Sequence, residues 1–287
     1  MGVTERVARS RELVAAGRPA ATVARIAGIS RQALYRRAAR PPKGHRRRLT
    51  DVDRVVLDVA RENPTDGTRM VAALASRELG RPVNRKQARR LMAEHRLLQR
   101  HRPSGRRKRP GFFRVERPDQ LWHMDMTSVW TAEHGWTYLN AIIDCCTREI
   151  TGWSLEVRCR HQEAQAVLEQ AVLDRAIQPT TLVLGSDNGT AYTSRPFRAR
   201  LAELRVTHRR GGYRDPESQA FIESWFSKLK ERCIWREEFE TLDHARQAIG
   251  RYVDGYHRRP HSRLAYKTPR EVAATWQHPD DHPIPAA

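Results

Sequence analysis

The stretch QLWHMDMTSVWT at residues 120–131, followed by GWTYLNAIIDCCT at 135–147 and EITGWSLEVRC at 149–159, decides the fold. These runs are rich in β-branched and aromatic residues and are separated by short connections, which predicts three antiparallel strands. Downstream, helical and strand patterns alternate. The helical runs are 161–176, 196–204 and 217–233, and the strand runs are 181–189 and 206–210. This order predicts an α/β fold, a mixed five-stranded sheet with flanking helices.

Positive charge is concentrated upstream of these strands. The chain has 287 residues, with 53 Lys and Arg against 33 Asp and Glu, a formal net charge of +20. Residues 1–111 hold 29 basic and 9 acidic residues, whereas residues 112–287 hold 24 of each. The whole excess lies in the first part of the chain. This indicates a basic module joined to a neutral one and excludes a uniformly basic chromatin protein.

Composition also argues against secreted, membrane and zinc-binding proteins. The first residues, MGVTERVARSRELV, carry charges every few positions, so we expect no secretory signal. No run approaches 18 uncharged apolar residues, so we expect no membrane-spanning helix. The four cysteines form no CxxC pair, which argues against a zinc site. Free thiols favour a cytoplasmic location.

Residues 4–40 predict three short helices that contain a helix-turn-helix. Ala24, Gly28 and Leu34 have the spacing of a small residue for helix approach, a turn glycine and an apolar anchor. The second helix and its end then carry side chains available to DNA phosphates or base edges, namely Arg31, Gln32, Arg36, Arg37 and Arg40. The alternative is an ordinary three-helix bundle with a solvated arginine face.

Residues 51–98 predict a second, less distinct helix-turn-helix. Its last helix opens at Asn84, a typical cap residue, and carries four basic candidates for DNA contact, Arg85, Lys86, Arg89 and Arg90. The alternative is a solvated basic helix packed on its neighbours. Residues 99–117 hold nine basic residues, counting His101, together with Pro and Gly. They predict a flexible tether that follows phosphates without reading sequence.

Three acidic residues lie at strand and helix positions that an α/β fold can bring close together in space. Asp125 lies inside the first strand among apolar neighbours, where an aspartate needs a partner or a role. Asp187 directly follows the fourth strand, where open sheets place ligands. Glu223 lies in the final helix, with Lys230 seven residues later on the same face. Such a set suits Mg²⁺, but each acid alone could equally be a cap, a turn residue or a surface charge.

Four motifs, WHMDMT, GSDNGTAYTS, FIESWFSKLKER and YHRRPHSRLAYKTPREV, resemble the transposases of insertion-sequence family three, of the second-reading-frame type. Their catalytic core is similar to retroviral integrase, and GISRQALYRRAAR resembles their amino-terminal helix-turn-helix. The resemblance implies a ribonuclease-H-like fold in which Asp125, Asp187 and Glu223 form a DDE triad. The last two acids are separated by 35 residues. Lys230 would contact DNA near the scissile phosphate.

The resemblance also implies five segments along the chain. They are a helix-turn-helix (1–42), a second helix-turn-helix-like domain (49–98), a basic linker (99–117), the integrase catalytic core (118–235) and a helical carboxyl-terminal segment with its tail (236–287).

The match has departures. The residue before the Ser-Asp motif is often histidine in the family, and here it is Gly185. The segment before the glutamate reads DPESQA, which makes Glu217 a rival of Glu223, although Glu217 lacks the following SWFSKLK. Asp144 matches a recurrent family acid at the end of the second strand and is interpreted as structural or as a support for the ligands.

By the same resemblance, the triad binds two Mg²⁺ ions per active site, with Mn²⁺ as the alternative, and Asp125 bridges them. Water cleaves the phosphodiester at the element end, and the freed 3′-hydroxyl attacks a second DNA phosphate. The implied partners are double-stranded DNA, as terminal inverted repeats and as target, further copies of the chain on paired ends, and an upstream-frame product. No membrane is involved, and the setting is the bacterial nucleoid.

Two other functions stay open at this point. One is a non-catalytic DNA-binding regulator, or an inactive element product that keeps the fold. It predicts DNA binding without Mg²⁺-dependent cleavage. The other is a ribonuclease-H-like nuclease acting on RNA–DNA hybrids, which the basic upstream modules disfavour.

Overall fold

The computed structural model describes residues 2–35, 49–99, 115–211 and 220–276, and the chain divides into two compact units, Met1–Leu49 and Thr50–Ala287. The first unit contains helices α1 (Val3–Ala15), α2 (Ala20–Ala27) and α3 (Arg31–Tyr35). Ala24 and Leu34 are buried, and Gly28 ends α2 in the left-handed conformation with a φ of 61°. The small residue, the turn glycine and the apolar anchor therefore take the structural places that the sequence predicts.

The second unit begins with three packed helices, α4 (Asp51–Glu62), α5 (Thr68–Glu78) and α6 (Arg85–Glu94). Their apolar core includes Val56, Val71 and Leu91. Two helix starts follow from local sequence. Thr50 and Asp53 exchange hydrogen bonds in a capping box before α4, and the Asn84 side chain accepts a bond of 2.8 Å from the Lys86 amide. Both arrangements satisfy amides that lack a partner within the helix.

A five-stranded mixed sheet forms the centre of the second unit, as predicted. Its strands are β1 (Leu121–Thr131), β2 (Gly135–Asp144), β3 (Ile150–Glu156), β4 (Val183–Ser186) and β5 (Thr207–Arg210), in the order β3-β2-β1-β4-β5. The pairs β1–β2 and β2–β3 are antiparallel, whereas β1–β4 and β4–β5 are parallel. The connections that lead into β4 and β5 contain helices, because parallel neighbours cannot be joined by a tight turn.

Helices cover both faces of the sheet. On one face, α7 (His161–Asp174), α8 (Thr190–Thr193) and α9 (Arg195–Glu203) share an apolar cluster with Trp122 and Met124 of β1. On the other, α10 (Ala220–Arg232) and α11 (Leu242–His257) share a cluster with Val129, and α12 (Pro269–Trp276) follows. Side chains alternate along a strand, so Asp125 lies on the α10 face with Val129. Among the described residues, no helix has the length and apolar character needed to cross a membrane.

Candidate active site

The pairing of β1 with β4 brings two of the predicted carboxylates together. The parallel register aligns Met124 with Ser186, so Asp125 and Asp187 each follow this aligned pair. Asp125 is partly buried, and its Oδ1 accepts a hydrogen bond of 2.7 Å from the next backbone amide. Asp187 is exposed beyond the end of β4, and its Oδ1 accepts a bond of 2.8 Å from the amide two residues on. Asp187 therefore lies at the edge where such sheets place ligands, and the neighbouring strand places Asp125 beside it.

The packing of α10 places the third carboxylate. The apolar side of this helix is buried against the sheet through Ile222, Trp225, Phe226 and Leu229. Glu223 is exposed, and Lys230 is partly exposed two helical turns later on the same side. The sequence prediction that both side chains share one helix face agrees with this arrangement.

The charged side chains of the site act on one another. Burial raises the pKa of the Asp125 carboxyl to about 6, and the Met126 amide that donates to it opposes this effect. The negative charges of Asp187 and Glu223 raise the same pKa further, and Lys230 lowers it. The fold therefore brings Asp125, Asp187, Glu223 and Lys230 into one electrostatic environment.

Tyr192 of α8 belongs to this environment, although no motif in the sequence analysis singled it out. Its side chain is buried, and its hydroxyl lies 3.4 Å from Oδ1 of Asn140. Burial, followed by the charges of Asp125 and Asp187, raises its pKa well above the ordinary range. The phenol is therefore a neutral hydrogen-bonding group beside the carboxylates.

The chemistry of these side chains suits a divalent cation. Three carboxylates supply the hard oxygen ligands that Mg²⁺ prefers. Burial is the main cause of the raised pKa of Asp125, and the nearby negative charges add to it, so a bound cation would favour the ionised form. Within the described ranges, no group of three or more His, Cys, Asp and Glu side chains is arranged closely enough to hold a metal ion. The three carboxylates are therefore of the right chemical type for a divalent cation. Among the described residues they are not yet arranged as a closed set of metal ligands.

Replacing Asp125 with asparagine should stabilise the metal-free protein. The folded-state pKa of about 6 exceeds the ordinary 3.8, so the native state binds the proton more tightly than the unfolded state. Wild-type stability should then fall as pH rises from about 4 to about 6 and stay lower above that window. At pH 8 the uncharged variant should gain about 3 kcal/mol in free energy of unfolding.

Urea unfolding between pH 4 and 8, in EDTA, measures this effect. Asp174→Asn is the matched control, because Asp174 is exposed on α7 and bonds only to Gln170 within the described residues. Mg²⁺ should stabilise the wild type and the control but not Asp125→Asn. A variant less stable than the wild type at pH 8, or one stabilised equally by Mg²⁺, would contradict the charge argument.

The start of α10 is held by a stack of three side chains that sequence analysis did not identify. The guanidinium carbon of Arg148 lies 3.3 Å from the centroid of the Phe221 ring, and His123 stacks on Phe221 with ring centroids 5.9 Å apart. Burial lowers the pKa of His123 to about 4, so its ring is neutral at pH 7. His123 precedes Asp125 by two residues and Phe221 precedes Glu223 by two. The stack therefore fixes the helix against the strand at the site.

Gly185, the departure from the family pattern, has a structural reason. A Cβ atom at this position would lie 2.7 Å from Cδ2 of His123, closer than real Cβ contacts. The His123 ring occupies the volume that a side chain at position 185 would need. In a close-packed interior, the two neighbouring strands cannot carry bulky side chains at both positions.

Asp144 has a structural environment. Its side chain is fully buried, and its carboxylate accepts hydrogen bonds of 2.7 Å from the amides of Asp119, Cys146 and Thr147. The bonds from Cys146 and Thr147 close the turn after β2, and the bond from Asp119 ties the segment before β1 to that turn. The arrangement agrees with the structural interpretation made from the sequence.

The predicted DNA-contact residues that the structure describes are exposed. Arg31 and Gln32 begin α3. The basic residues of α6 are exposed on one side of that helix, and they are Arg85, Lys86, Arg89 and Arg90. Arg36, Arg37, Arg40 and the rival acid Glu217 lie outside the described residues, as does most of the basic linker.

Two profiles of the integrase core domain match this chain, one over residues 115–216 and the other over residues 204–269. Together they cover more than half of the chain, including the whole sheet, α10 and the three carboxylates. Residues 115–269 of the chain are therefore similar to the integrase core domain.

Curated relatives with this integrase core are transposases. The chain is 32% identical over 161 residues to the transposase for insertion sequence element IS904 of Lactococcus lactis subsp. lactis (strain IL1403), covering 55% of this chain and 63% of the relative. It is 30% identical over 142 residues to transposase InsF for insertion sequence IS3A of Escherichia coli (strain K12), covering 50% and 49%. The chain thus spans about half to two thirds of these proteins, and it is a relative of the insertion-sequence family three transposases.

A solved assembly contains a chain of the same fold. It is the simian T-cell lymphotropic virus intasome in complex with PP2A regulatory subunit B56 gamma. The TM-score is 0.52 at 17% identity, covering 80% of this chain and 78% of the other. The likeness at this identity concerns the fold alone. It confirms the predicted ribonuclease-H-like architecture of the integrase core.

Proposed function

We propose that this chain is a DNA transposase, a polynucleotidyl transferase that cleaves at the ends of an insertion sequence and joins the freed 3′-hydroxyl to target DNA. The observation that carries the proposal is the electrostatic influence of Asp187 and Glu223 on Asp125 inside an integrase core. There, their two negative charges raise the pKa of the Asp125 carboxyl. The names of the curated relatives support the same activity.

In this proposal Asp125, Asp187 and Glu223 would hold two Mg²⁺ ions, with Mn²⁺ as a substitute. Such ions, when bound, activate an attacking oxygen and stabilise the leaving oxygen of a phosphodiester. Lys230 holds the DNA backbone close to the scissile phosphate from the same side of α10 as Glu223. The stack of Arg148, Phe221 and His123 keeps Glu223 in position relative to Asp125.

The basic modules upstream are proposed to hold the DNA. Residues 1–42 would position the terminal inverted repeat through α3, residues 49–98 would add phosphate contacts through α6, and residues 99–117 would follow the backbone. The proposed partners are inverted-repeat and target DNA as duplexes, further copies of the chain on paired ends, and an upstream-frame product. The proposed setting is the bacterial nucleoid.

Replacing Arg89 with glutamine should weaken duplex binding about equally for specific and unrelated sequences. A phosphate contact contributes affinity without reading bases, and its loss should reduce the slope of log affinity against log salt by about one. Fluorescence anisotropy across a salt series measures both quantities. Arg61→Gln is the control, because Arg61 is paired with Asp58 at 2.9 Å on α4. Equal slopes for the Arg89 variant and the wild type would contradict a phosphate contact at α6.

The proposed activity is tested on the element's own end DNA, with and without the upstream-frame product. Cleavage and joining products should form with Mg²⁺ or Mn²⁺ and disappear with EDTA. DNA binding without products in every mixture would favour the regulator. Faster cleavage of an RNA–DNA hybrid than of the end duplex would favour the nuclease.

A further inference from the structure

A cavity of about 270 Å³ lies beside the carboxyl-terminal end of α10, away from the carboxylates of the proposed active site. Three parts of the second unit line it: the turn between α4 and α5, the end of α10 with the following 3₁₀ turn (Ile234–Arg236), and α11 with its end. The lining residues that matter here are Glu62, Asn63, Arg232, Arg236, Tyr252 and Arg259. Arg232 and Arg259 lie within the motifs FIESWFSKLKER and YHRRPHSRLAYKTPREV, but the proposed function gives neither arginine a role.

The charges around the cavity do not balance. Arg232 and Arg259 both bond to the carboxylate of Asp66, the former at 2.7 Å. Asp66 is 2% exposed, and the two arginine side chains are 21% and 24% exposed, so one buried carboxylate serves two largely buried guanidinium groups. Arg236 adds a third positive charge at the rim, and Glu62 a second negative one. One positive charge is left over among these groups, and the exposed Arg236 can turn its guanidinium toward an anion in the cavity.

The same cluster contains buried donors without acceptors. The Nε atoms of Arg232 and Arg259, the Nε1 of Trp225 and the hydroxyl of Tyr252 are buried and have no hydrogen-bond partner among the described residues. The rings of Trp225 and Tyr252 lie 6.2 Å apart. Three of these four groups can only donate. Buried polar groups normally have partners, so the cluster lacks an acceptor.

We propose that this cavity binds one oxyanion of the phosphate class, held by Arg232, Arg236, Arg259 and Tyr252. A phosphate group is acceptor-rich, matches the geometry of guanidinium donors and supplies the missing negative charge. The volume of the cavity is about nine times that of one water molecule in the liquid, so a phosphate group fits inside it. Water alone would offer acceptors but would leave the charge uncompensated.

The proposed anion would connect two parts of the second unit. Arg232 belongs to α10, the helix that also carries Glu223 and Lys230, whereas Asn63, bonded to Arg259 at 3.0 Å, follows α4. A phosphate bound here would tie the helix of the active site to the upstream helices. The phosphate has two sources, free inorganic phosphate or a phosphodiester of bound DNA, and only the second source rests on the proposed function.

Thermal unfolding of the full chain in EDTA, without DNA, tests the site. Sodium phosphate at low millimolar concentration should raise the melting temperature saturably relative to sodium chloride of equal ionic strength. Tyr252→Phe removes one donor and Arg236→Gln removes a positive charge with its guanidinium donors, and each should raise the apparent dissociation constant for phosphate at least about tenfold. Arg251→Gln, an exposed arginine of α11 outside the cavity lining, is the matched control and should bind phosphate like the wild type. Circular dichroism verifies that all variants fold.

Competition between inorganic phosphate and duplex DNA distinguishes free phosphate from a DNA phosphodiester as the group bound in the cavity. If a DNA phosphodiester is the occupant, phosphate should displace a labelled duplex beyond the effect of ionic strength, and Arg236→Gln should weaken duplex binding more than Arg251→Gln. If free phosphate is the occupant, duplex affinity should stay unchanged. Both results support a phosphate-class site. Equal stabilisation by phosphate and chloride, or equal phosphate binding by all variants, would overturn it. None of these measurements requires strand transfer, so their failure is separable from failure of the proposed activity.

Discussion

Strand transfer should fall by roughly 1,000-fold when Asp187 is replaced by asparagine or Glu223 by glutamine. Each substitution removes one negative ligand oxygen from a site where bound cations contribute several kcal/mol of transition-state stabilisation. Asp125→Asn should lose at least as much, because this carboxylate is shared. The initial rate of joining a pre-cleaved end to target DNA measures the effect, at DNA concentrations that saturate binding.

Glu217→Gln is the matched control for the third carboxylate. Glu217 lies six residues before Glu223 and is the other acid in the segment, so the same chemical change at the neighbouring position should leave joining close to wild type. Circular dichroism and duplex affinity verify that the inactive variants still fold and bind DNA. Activity retained by the Glu223 variant and lost by the Glu217 variant would reverse the assignment.

Asp66→Asn should lower the free energy of unfolding by about 3 kcal/mol, because it leaves two largely buried guanidinium groups without their carboxylate. Asparagine has nearly the same shape, so the change isolates the charge. The melting temperature should fall by roughly 10 °C. Urea unfolding and calorimetry measure both quantities.

Asp58→Asn provides the comparison for Asp66. Asp58 pairs with Arg61 on the surface of α4, with both side chains more than half exposed, so its loss should cost less than about 1 kcal/mol. Adding Arg259→Met to Asp66→Asn should recover part of the stability, because one unpaired charge is removed. An Asp66 variant as stable as the Asp58 variant would show that the buried cluster does not hold the α4–α5 turn to α10 and α11.

Much of the fold could be predicted because its signals are local. The β-branched runs of β1, β2 and β3 and the apolar stripe of α7 lie within single segments. Asn84 caps α6 from the position that its residue type favours. The rule that ligands collect where strands of such a sheet end pointed to Asp187, whereas Asp125 was noticed as an aspartate inside a strand and Glu223 through the family motif. Asp187 lies at that edge, beside the mid-strand Asp125.

The remaining features depend on pairs of residues that are distant in sequence. Asp66 looks like an ordinary turn aspartate, and its arginine partners lie 166 and 193 residues away. The steric exclusion between the His123 ring and a side chain at Gly185 depends on the register of β1 and β4, which are separated in the chain by two strands and a helix. Periodicity and composition carry no information about such contacts. The contacts form only when the chain has folded and the register of its paired strands is fixed.

Anomalous diffraction from crystals soaked in Mn²⁺ tests the central claim most directly. The claim is that Asp125, Asp187 and Glu223 form a cation site that supports phosphoryl transfer. We expect anomalous density at the Asp125 carboxylate, shared with Asp187 or Glu223, and no such density in crystals of Asp125→Asn. Density only at other acids, or equal density in the variant, would contradict the account.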